Sequence, residues 1–147
     1  MNIEKMTDLE IMQAIVRGEL PHPTMSKTIP MKVVQAEEGK VVFNAIANEK
    51  DLNPQGGVHG GFAATVLDSV TGCAVHTLLG PGVAYGTIDL NIKMIRQVPR
   101  STNLIAEVTV INISKSLGIS EGILKNEYGK LYATSTATCM IIKSRIE

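Results

Sequence analysis

From His59 to Gly80 the chain carries Phe62, Ala63, Ala64, Val66, Leu67, Val70, Cys73, Ala74, Val75, Leu78 and Leu79, which occupy nearly every side of a helical wheel. A helix with so little polar surface has to be buried on most faces, so the rest of the chain must wrap around it. Gly80, Pro81 and Gly82 end it, because glycine accepts the positive φ of a helix stop and proline cannot continue the ladder.

Beyond that helix the apolar period falls to two. Four long strands are expected, at residues 83–95, 102–114, 116–127 and 130–143, with an antiparallel meander as their natural linkage. In the last of them Ala133, Ser135, Ala137, Cys139 and Ile141 make a face of mostly small residues, which lets a sheet approach a helix closely. Before the helix, residues 31–36 and 39–47 are β-branched runs separated by Glu37, Glu38 and Gly39, which reads as a hairpin.

At the N-terminus, Thr7 and Asp8 precede an apolar stripe of Leu9, Ile11, Met12, Ile15 and Val16, with Glu10 three residues after Thr7, the pattern of a capped helix. Gly18 and Pro21 stop it, and the three prolines of residues 20–30 predict an extended connector without regular hydrogen bonding. The division expected is an N-terminal helix and connector over residues 1–30, then one domain over 31–147. Its fold class is α+β, a curved, mainly antiparallel sheet of about six strands curled around a central helix.

Charge narrows the partners. With 14 Lys plus Arg against 14 Asp plus Glu and few aromatic residues, the chain offers neither a basic field for phosphate backbones nor a platform for stacking bases. Nucleic acid is not expected as a partner. No apolar run approaches a membrane span and the first ten residues lack a signal-peptide pattern, so no membrane partner and a cytoplasmic location are expected. Cys73 and Cys139 are too few for a disulfide framework and read as reduced packing residues. Cys73 and His76 stand three apart, but no second pair at ligand spacing accompanies them, so neither a metal nor an organic cofactor is expected. The seven methionines are dispersed gap fillers, His22 between two prolines reads as a surface residue, and Lys93, Arg96 and Arg100 read as a solvated strand end within reach of phosphates.

Two features carry chemistry. Residues 53–61, Asn-Pro-Gln-Gly-Gly-Val-His-Gly-Gly, place four glycines within six positions immediately before the helix. Either this is a tight loop packed under the sheet, or a ligand approaches main-chain N–H groups at a helix N-terminus, where unpaired donors and the helix dipole favour negative charge. No Gly-Lys-Ser/Thr follows, so a developing oxyanion fits better than a phosphate. The second is Asp68, a carboxylate in an otherwise apolar helix. It is either satisfied by the hydroxyls of Thr65, Ser69 and Thr71, or it is a general base or nucleophile. Gly60 and Asp68 are eight residues apart, roughly 12 Å along a helix, so one carbonyl cannot touch both. A shared site needs two copies of the chain with their central helices side by side, an obligate dimer.

The string NPQGGVHGGFAATVLDSVTGCAVHTLL, followed by GVAYGTIDLNIKMIRQVP, resembles the hotdog-fold acyl-CoA thioesterases of the phenylacetate-degradation (PaaI-like) type. The resemblance runs from about Leu20 to Lys143. It implies a hotdog fold and hydrolysis of an aromatic or medium-chain acyl-CoA to free acid and CoA. It further implies that the Gly60 N–H binds the thioester oxygen and that Asn53 holds the thioester region or the water. Asp68 from the partner subunit then activates water or attacks the carbonyl, and Thr87 orients that water. His59 shapes the loop, Gly57 and Gly61 contact substrate through bare backbone, and the dimers pair into a homotetramer. Simple alternation places Thr87 with Asp89, Asn91 and Lys93, away from the side of Ile88 and Leu90, unless a bulge at Gly86 re-aims it. The rival outside enzymology is an acyl-CoA binding or sensor protein of the same fold, against which the presence of both Asn53 and Asp68 argues. A hydratase acting on β-hydroxyacyl thioesters would need a different His and acid arrangement.

Overall fold

The computed structural model describes residues 2–142. The last residue of the fourth long strand candidate, Lys143, and the domain's expected end at Glu147 lie outside the described residues, as does Met1. After a 3-10 turn at Ile3–Lys5, helix α1 spans Asp8–Val16 and the single-turn helix α2 spans Met25–Thr28. Strands β1 (Met31–Glu37) and β2 (Lys40–Ala45) form the hairpin, and the central helix α3 spans Gly60–His76. Strands β3 (Ala84–Met94), β4 (Leu104–Ile113), β5 (Leu117–Asn126) and β6 (Leu131–Ile142) complete the chain.

Thr7 caps α1 as its sequence predicts. Thr7 Oγ1 accepts the Glu10 N–H at 3.2 Å and the Glu10 carboxylate accepts the Thr7 N–H at 2.7 Å. The helix buries Met12, Ala14 and Ile15 against the hairpin end of the sheet. The connector departs from expectation: instead of running extended throughout, it turns once through α2, where the Ser26, Lys27 and Ile29 N–H groups donate to the Pro23, Thr24 and Met25 carbonyls. Pro21, Pro23 and Pro30 flank this turn without interrupting it, and proline is compatible with the start of a helical turn because its missing N–H has no partner there.

The six strands form one antiparallel sheet in the order β1-β2-β4-β5-β6-β3. The meander expected for the last four strands holds only for β4, β5 and β6. β3 lies at the far edge, paired with β6, because α3 carries the chain from β2 across the whole sheet before β3 begins. The core is α3 against the concave face, with Val66, Leu67, Val70, Ala74 and Val75 fully buried. Burial of a Val or Leu side chain contributes about 1.5–3 kcal/mol, so these residues dominate the attachment of α3.

The small residues of the sheet set the distance. Ala133, Ser135, Ala137 and Cys139 of β6 are buried as expected. A Cβ at Gly118 of β5 would lie 2.6 Å from Val75 Cγ1, so the helix rests directly on the strand backbone there. Ser120 beside it donates to the Thr71 carbonyl at 3.2 Å. One expectation needs correction: α3 is not enclosed on every side. Gly61, Ala64, Thr65, Asp68 and Ser69 form a stripe at helical spacing that the sheet does not cover, and Asp68 on it is exposed.

Candidate active site

The loop before α3 is held by its own side chains. Asn53 Oδ1 accepts the N–H groups of Gln55 at 3.0 Å and Gly57 at 3.1 Å, and the Asn53 N–H donates to the Gly57 carbonyl at 2.8 Å. Gly56 closes the turn at φ +85°, a left-handed conformation that glycine adopts without steric cost. Asn53 therefore spends its oxygen on the loop, and its amide NH2 has no hydrogen-bond partner among the described residues.

His59 is the N-cap of α3, and its Nδ1 accepts the Gly61 N–H at 2.7 Å. The acceptor role leaves Nδ1 unprotonated and puts the proton of a neutral ring on Nε2. The His59 N–H donates to the Asp51 carbonyl at 2.7 Å and the Phe62 N–H to the His59 carbonyl at 3.0 Å. One early donor remains: the Gly60 N–H has no backbone or side-chain partner among the described residues. Gly60 lines a cavity of about 220 Å³ together with His59, Met94, Arg96, Gln97 and Tyr132. A Cβ on Gly60 would lie 2.7 Å from Met94 Sδ, so bare backbone faces this space. Gly57 packs more closely still against the Gln97 amide, and Gly61 about as closely against the His59 ring.

Asp68 lies two turns further along α3. Of the hydroxyls proposed to satisfy it, those of Thr65 and Thr71 are engaged elsewhere, Thr65 Oγ1 donating to the Gly61 carbonyl at 2.8 Å and Thr71 Oγ1 to the Leu67 carbonyl at 2.6 Å, and Ser69 Oγ makes no hydrogen bond to it. No hydrogen bond or ion pair reaches the Asp68 carboxylate among the described residues. It borders a second cavity, of about 250 Å³, which Ser69, Cys73, Tyr85 and Thr87 share. Gly60 and Asp68 thus line two separate cavities among the described residues.

Thr87 reaches the Asp68 cavity through a bulge. Thr87 pairs with Cys139 across the β3–β6 ladder, but the next pair is Asp89 with Thr138, so Ile88 is the extra residue. The bulge reverses the alternation. Tyr85 and Thr87 point to the helix side before it, Leu90 and Ile92 after it, and Thr87 Oγ1 lies 3.8 Å from the buried Cys139 Sγ. The displacement sits at Ile88, two residues beyond the Gly86 that sequence offered.

The surroundings of this cavity are poor in reactive alternatives. Burial, with the Asp68 charge adding to it, pushes the Cys73 thiol up to about 12, far from a thiolate at neutral pH. Cys139 is also shifted upward, chiefly by burial, and both cysteines are free thiols. Burial likewise raises the Tyr85 phenol. His22, read from sequence as a surface residue, lines the same cavity and has its Nε2 enclosed by protein with no hydrogen-bond partner among the described residues. The methionines, dispersed in sequence, converge here as Met12, Met25 and Met31. No chain-local signal reveals either convergence, because both depend on α1 and the connector folding back over β1. Among the described residues no group of three His, Cys, Asp or Glu side chains stands at metal-binding distance, and no helix is long and apolar enough to cross a membrane.

A long helix wrapped by a six-stranded antiparallel sheet, with an unpaired N–H at its start and an unpaired carboxylate on its open stripe, defines a hotdog-type hydrolase scaffold. The thioesterase superfamily pattern matches residues 55–133, which include the glycines of the loop, all of α3, strands β3, β4 and β5 and the start of β6, and the chain belongs to that family of thioester hydrolases. Human acyl-coenzyme A thioesterase 13 is 27% identical over 132 residues, covering 88% of this chain and 90% of that protein. A phenylacetic acid degradation-related protein of Ralstonia eutropha JMP134 is 30% identical, with a TM-score of 0.79 over 88% of this chain and 98% of that one. The PaaI protein from the phenylacetic acid degradation operon of E. coli shares the fold, with a TM-score of 0.81 at 18% identity, over 92% of this chain and 96% of that one.

Proposed function

We propose that the protein hydrolyses an acyl-CoA thioester to a free acid and CoA at a site shared between two copies of the chain. The Gly60 N–H of one copy donates a hydrogen bond to the developing oxyanion, and Asp68 of the other is the general base. The observation that carries this reading is the pairing pattern along α3. Among the described residues the His59, Gly61 and Phe62 N–H groups have partners and the Gly60 N–H has none, and the Asp68 carboxylate is likewise unpaired beside Thr65 and Thr71 hydroxyls already spent on backbone carbonyls.

The two groups are roughly 12 Å apart along one helix. They meet over one carbonyl only if a second α3 lies antiparallel against the open stripe. That arrangement is supported by the small side chains of Gly61, Ala64 and Ser69 on the stripe. It is also supported by the edge position of β3, where Ile88 and Met94 are 56% and 57% exposed in the single chain. Exposed apolar residues on an unpaired edge strand favour pairing with another copy.

In the reaction, water bound between Asp68 and the Thr87 hydroxyl gives a proton to the carboxylate as its oxygen bonds to the thioester carbon. The negative charge passes to the carbonyl oxygen, where the Gly60 N–H and the helix dipole stabilise it. Collapse of the intermediate breaks the carbon–sulfur bond, and the proton held by Asp68 leaves with the CoA thiol. One preorganised oxyanion donor is worth about 3 to 4 kcal/mol and general base catalysis about a hundred to ten thousandfold in rate. The Asn53 amide, free of protein partners, is available to the thioester region, and Arg96 beside the Gly60 cavity to the CoA phosphates. The assembly implied is a homodimer at least, paired again into a homotetramer, and the reaction draws on no cofactor besides the CoA of the substrate.

The test is thioester absorbance decay with a panel of aromatic and linear acyl-CoAs, comparing the parent with a folded Asp68→Ala protein. Loss of turnover in the variant is the expected result. Tight binding without turnover by the parent would instead identify an acyl-CoA binding protein. Cross-subunit assembly is checked by mixing Asp68→Ala with Asn53→Ala subunits, each inactive alone: exchange should restore one intact site per mixed dimer, and no recovery after verified exchange would refute the shared site.

A further inference from the structure

We propose that Tyr85 is a positioning residue for the hydrolysis: its phenol hydroxyl, laid along α3 over Gly72, holds the Asp68 carboxylate through one bridging water. What Asp68 does rests on the thioesterase reading above; the course of the Tyr85 ring along the helix does not.

The stripe of α3 that carries Asp68 runs on through Gly72 and His76, since residues four apart in a helix share a face. Tyr85, on the helix side of β3, covers this part of it. Its ring centroid lies 4.9 Å from that of His76, with the planes inclined at 44°, and its outer edge rests on Gly72. A Cβ on Gly72 would stand 3.0 Å from Tyr85 Cε2 and 3.4 Å from the phenol oxygen. A helix interior that alanine would suit better therefore carries glycine, and the ring occupies the side-chain space that glycine leaves. That space tilts toward the helix N-terminus, as every Cα–Cβ bond in a helix does, and hence toward the turn of Asp68. Cβ positions four residues apart on a helix are about 5–6 Å from each other. The hydroxyl therefore reaches the carboxylate across about the span of one water, whose hydrogen bonds are each about 2.8 Å long.

Ring packing does not account for the hydroxyl. Phenylalanine would make the same contacts with Gly72 and His76, whereas a phenol enclosed by protein ordinarily finds a hydrogen-bond partner. Tyr132 has one in the Asn126 amide at 3.4 Å, and the Tyr85 hydroxyl has none among the described residues. Burial raises the Tyr85 phenol above its ordinary range, so it keeps its proton and stays a donor. Asp68, Thr87 and Tyr85 border one cavity, and an ionised carboxylate only accepts, so donor and acceptor are matched. The terminal torsion of an aspartate is broad, and nothing in the protomer's hydrogen bonding restrains that of Asp68 among the described residues. A water tied to Tyr85 engages one carboxylate oxygen and leaves the other turned to the reacting water at Thr87.

The experiment is steady-state hydrolysis of octanoyl-CoA and phenylacetyl-CoA by the parent, Tyr85→Phe, Asp68→Asn and the double variant, with thermal unfolding on the same preparations. Tyr85→Phe keeps the ring and should melt with the parent, while kcat falls by about tenfold at unchanged KM, the effect of a reacting group held less well. In the Asp68→Asn background the same substitution should cost nothing further, because a residue that acts through another has no effect once the other is gone. A parental kcat in Tyr85→Phe, a change confined to KM, or losses that multiply in the double variant would overturn the proposal. If Asp68→Asn is slow in that case, the hydrolysis reading stands without it. If the parent turns over neither thioester, the two fall together.

Discussion

His59 Nδ1 accepts the Gly61 N–H at 2.7 Å, and this contact decides which donor at the start of α3 is left for a ligand. The imidazole acts as an N-cap, a role usually taken by Ser, Thr, Asp or Asn, and it leaves the Gly60 N–H without a partner among the described residues, at a residue that lines the neighbouring cavity. His59→Ala should cost about 1 kcal/mol of stability, the usual scale for losing a cap, and lower kcat by freeing the loop. His59→Asn should recover the stability, because asparagine is among the best N-caps, and should recover most of the activity if the ring serves only to fix the loop. Chemical denaturation paired with kcat on the same preparations checks this; activity that stays lost in a fully stable His59→Asn would mean that the ring itself meets the substrate.

Asp68→Asn should separate function from stability. The carboxylate is exposed in the single chain and has no hydrogen-bond or ion-pair partner among the described residues, so its replacement removes no native contact of the protomer. Stability should stay within about 0.5 kcal/mol, as for surface substitutions generally, while kcat falls by about a hundredfold or more. A marked loss of stability with kcat preserved would identify Asp68 as a structural residue of the interface.

Thr87 tests the bulge at Ile88. Thr87→Ser keeps the hydroxyl and Thr87→Val keeps the shape, so the first should retain kcat and the second should lose about tenfold or more if the hydroxyl positions the water, with KM little changed. Equal activity in both would leave the bulge as a feature of sheet curvature only, since the 3.8 Å contact with Cys139 is too weak to carry a folding role.

How much of this was readable from sequence follows from how local each signal is. The Thr7 cap, the Glu37 to Gly39 hairpin and the start of α3 lie in short-range chemistry, and the structure has them where the residues place them, whereas α3 ends at His76, four residues before the Gly80 stop that the sequence offered, with Thr77 as its C-cap. The order of the sheet depends on where α3 delivers the chain, and neighbouring strands in sequence gave no sign that β3 pairs with β6 instead of β4. The same applies to the site. Asn53, Gly60 and Asp68 stood out by composition. Thr87 needed a bulge whose position alternation cannot locate, and His22 needed the fold-back of the connector. The open stripe of α3 was hidden for another reason: Gly61, Ala64 and Cys73 count as apolar on a wheel whether or not the sheet covers them.

Acid sensitivity should trace to the junction of α1 with the end of α3. Asp8 Oδ2 lies 3.1 Å from His76 Nε2, off the axis of a good hydrogen bond, and the His76 ring lies 4.9 Å from that of Tyr85. Burial holds the His76 imidazolium below its usual range, outweighing the attraction of Asp8, and burial likewise pushes the Asp8 carboxyl up despite the facing histidine. The depressed histidine contributes stability that is present above its unfolded pKa of about 6.5 and is lost as the pH falls through its lower folded value. The raised carboxyl works in the opposite sense: its stabilising contribution is present below the unfolded value and is lost as the pH rises through the folded one. The melting temperature of the parent should therefore fall from about pH 7.5 to about pH 5.5 more steeply than that of His76→Gln, which has no proton to gain. Asp8→Asn at neutral pH should be no less stable than the parent, because the charge it removes is one that burial disfavours. Parallel melting curves for the parent and His76→Gln, or a large loss in Asp8→Asn at neutral pH, would show that the pair acts as a net stabilising salt bridge instead.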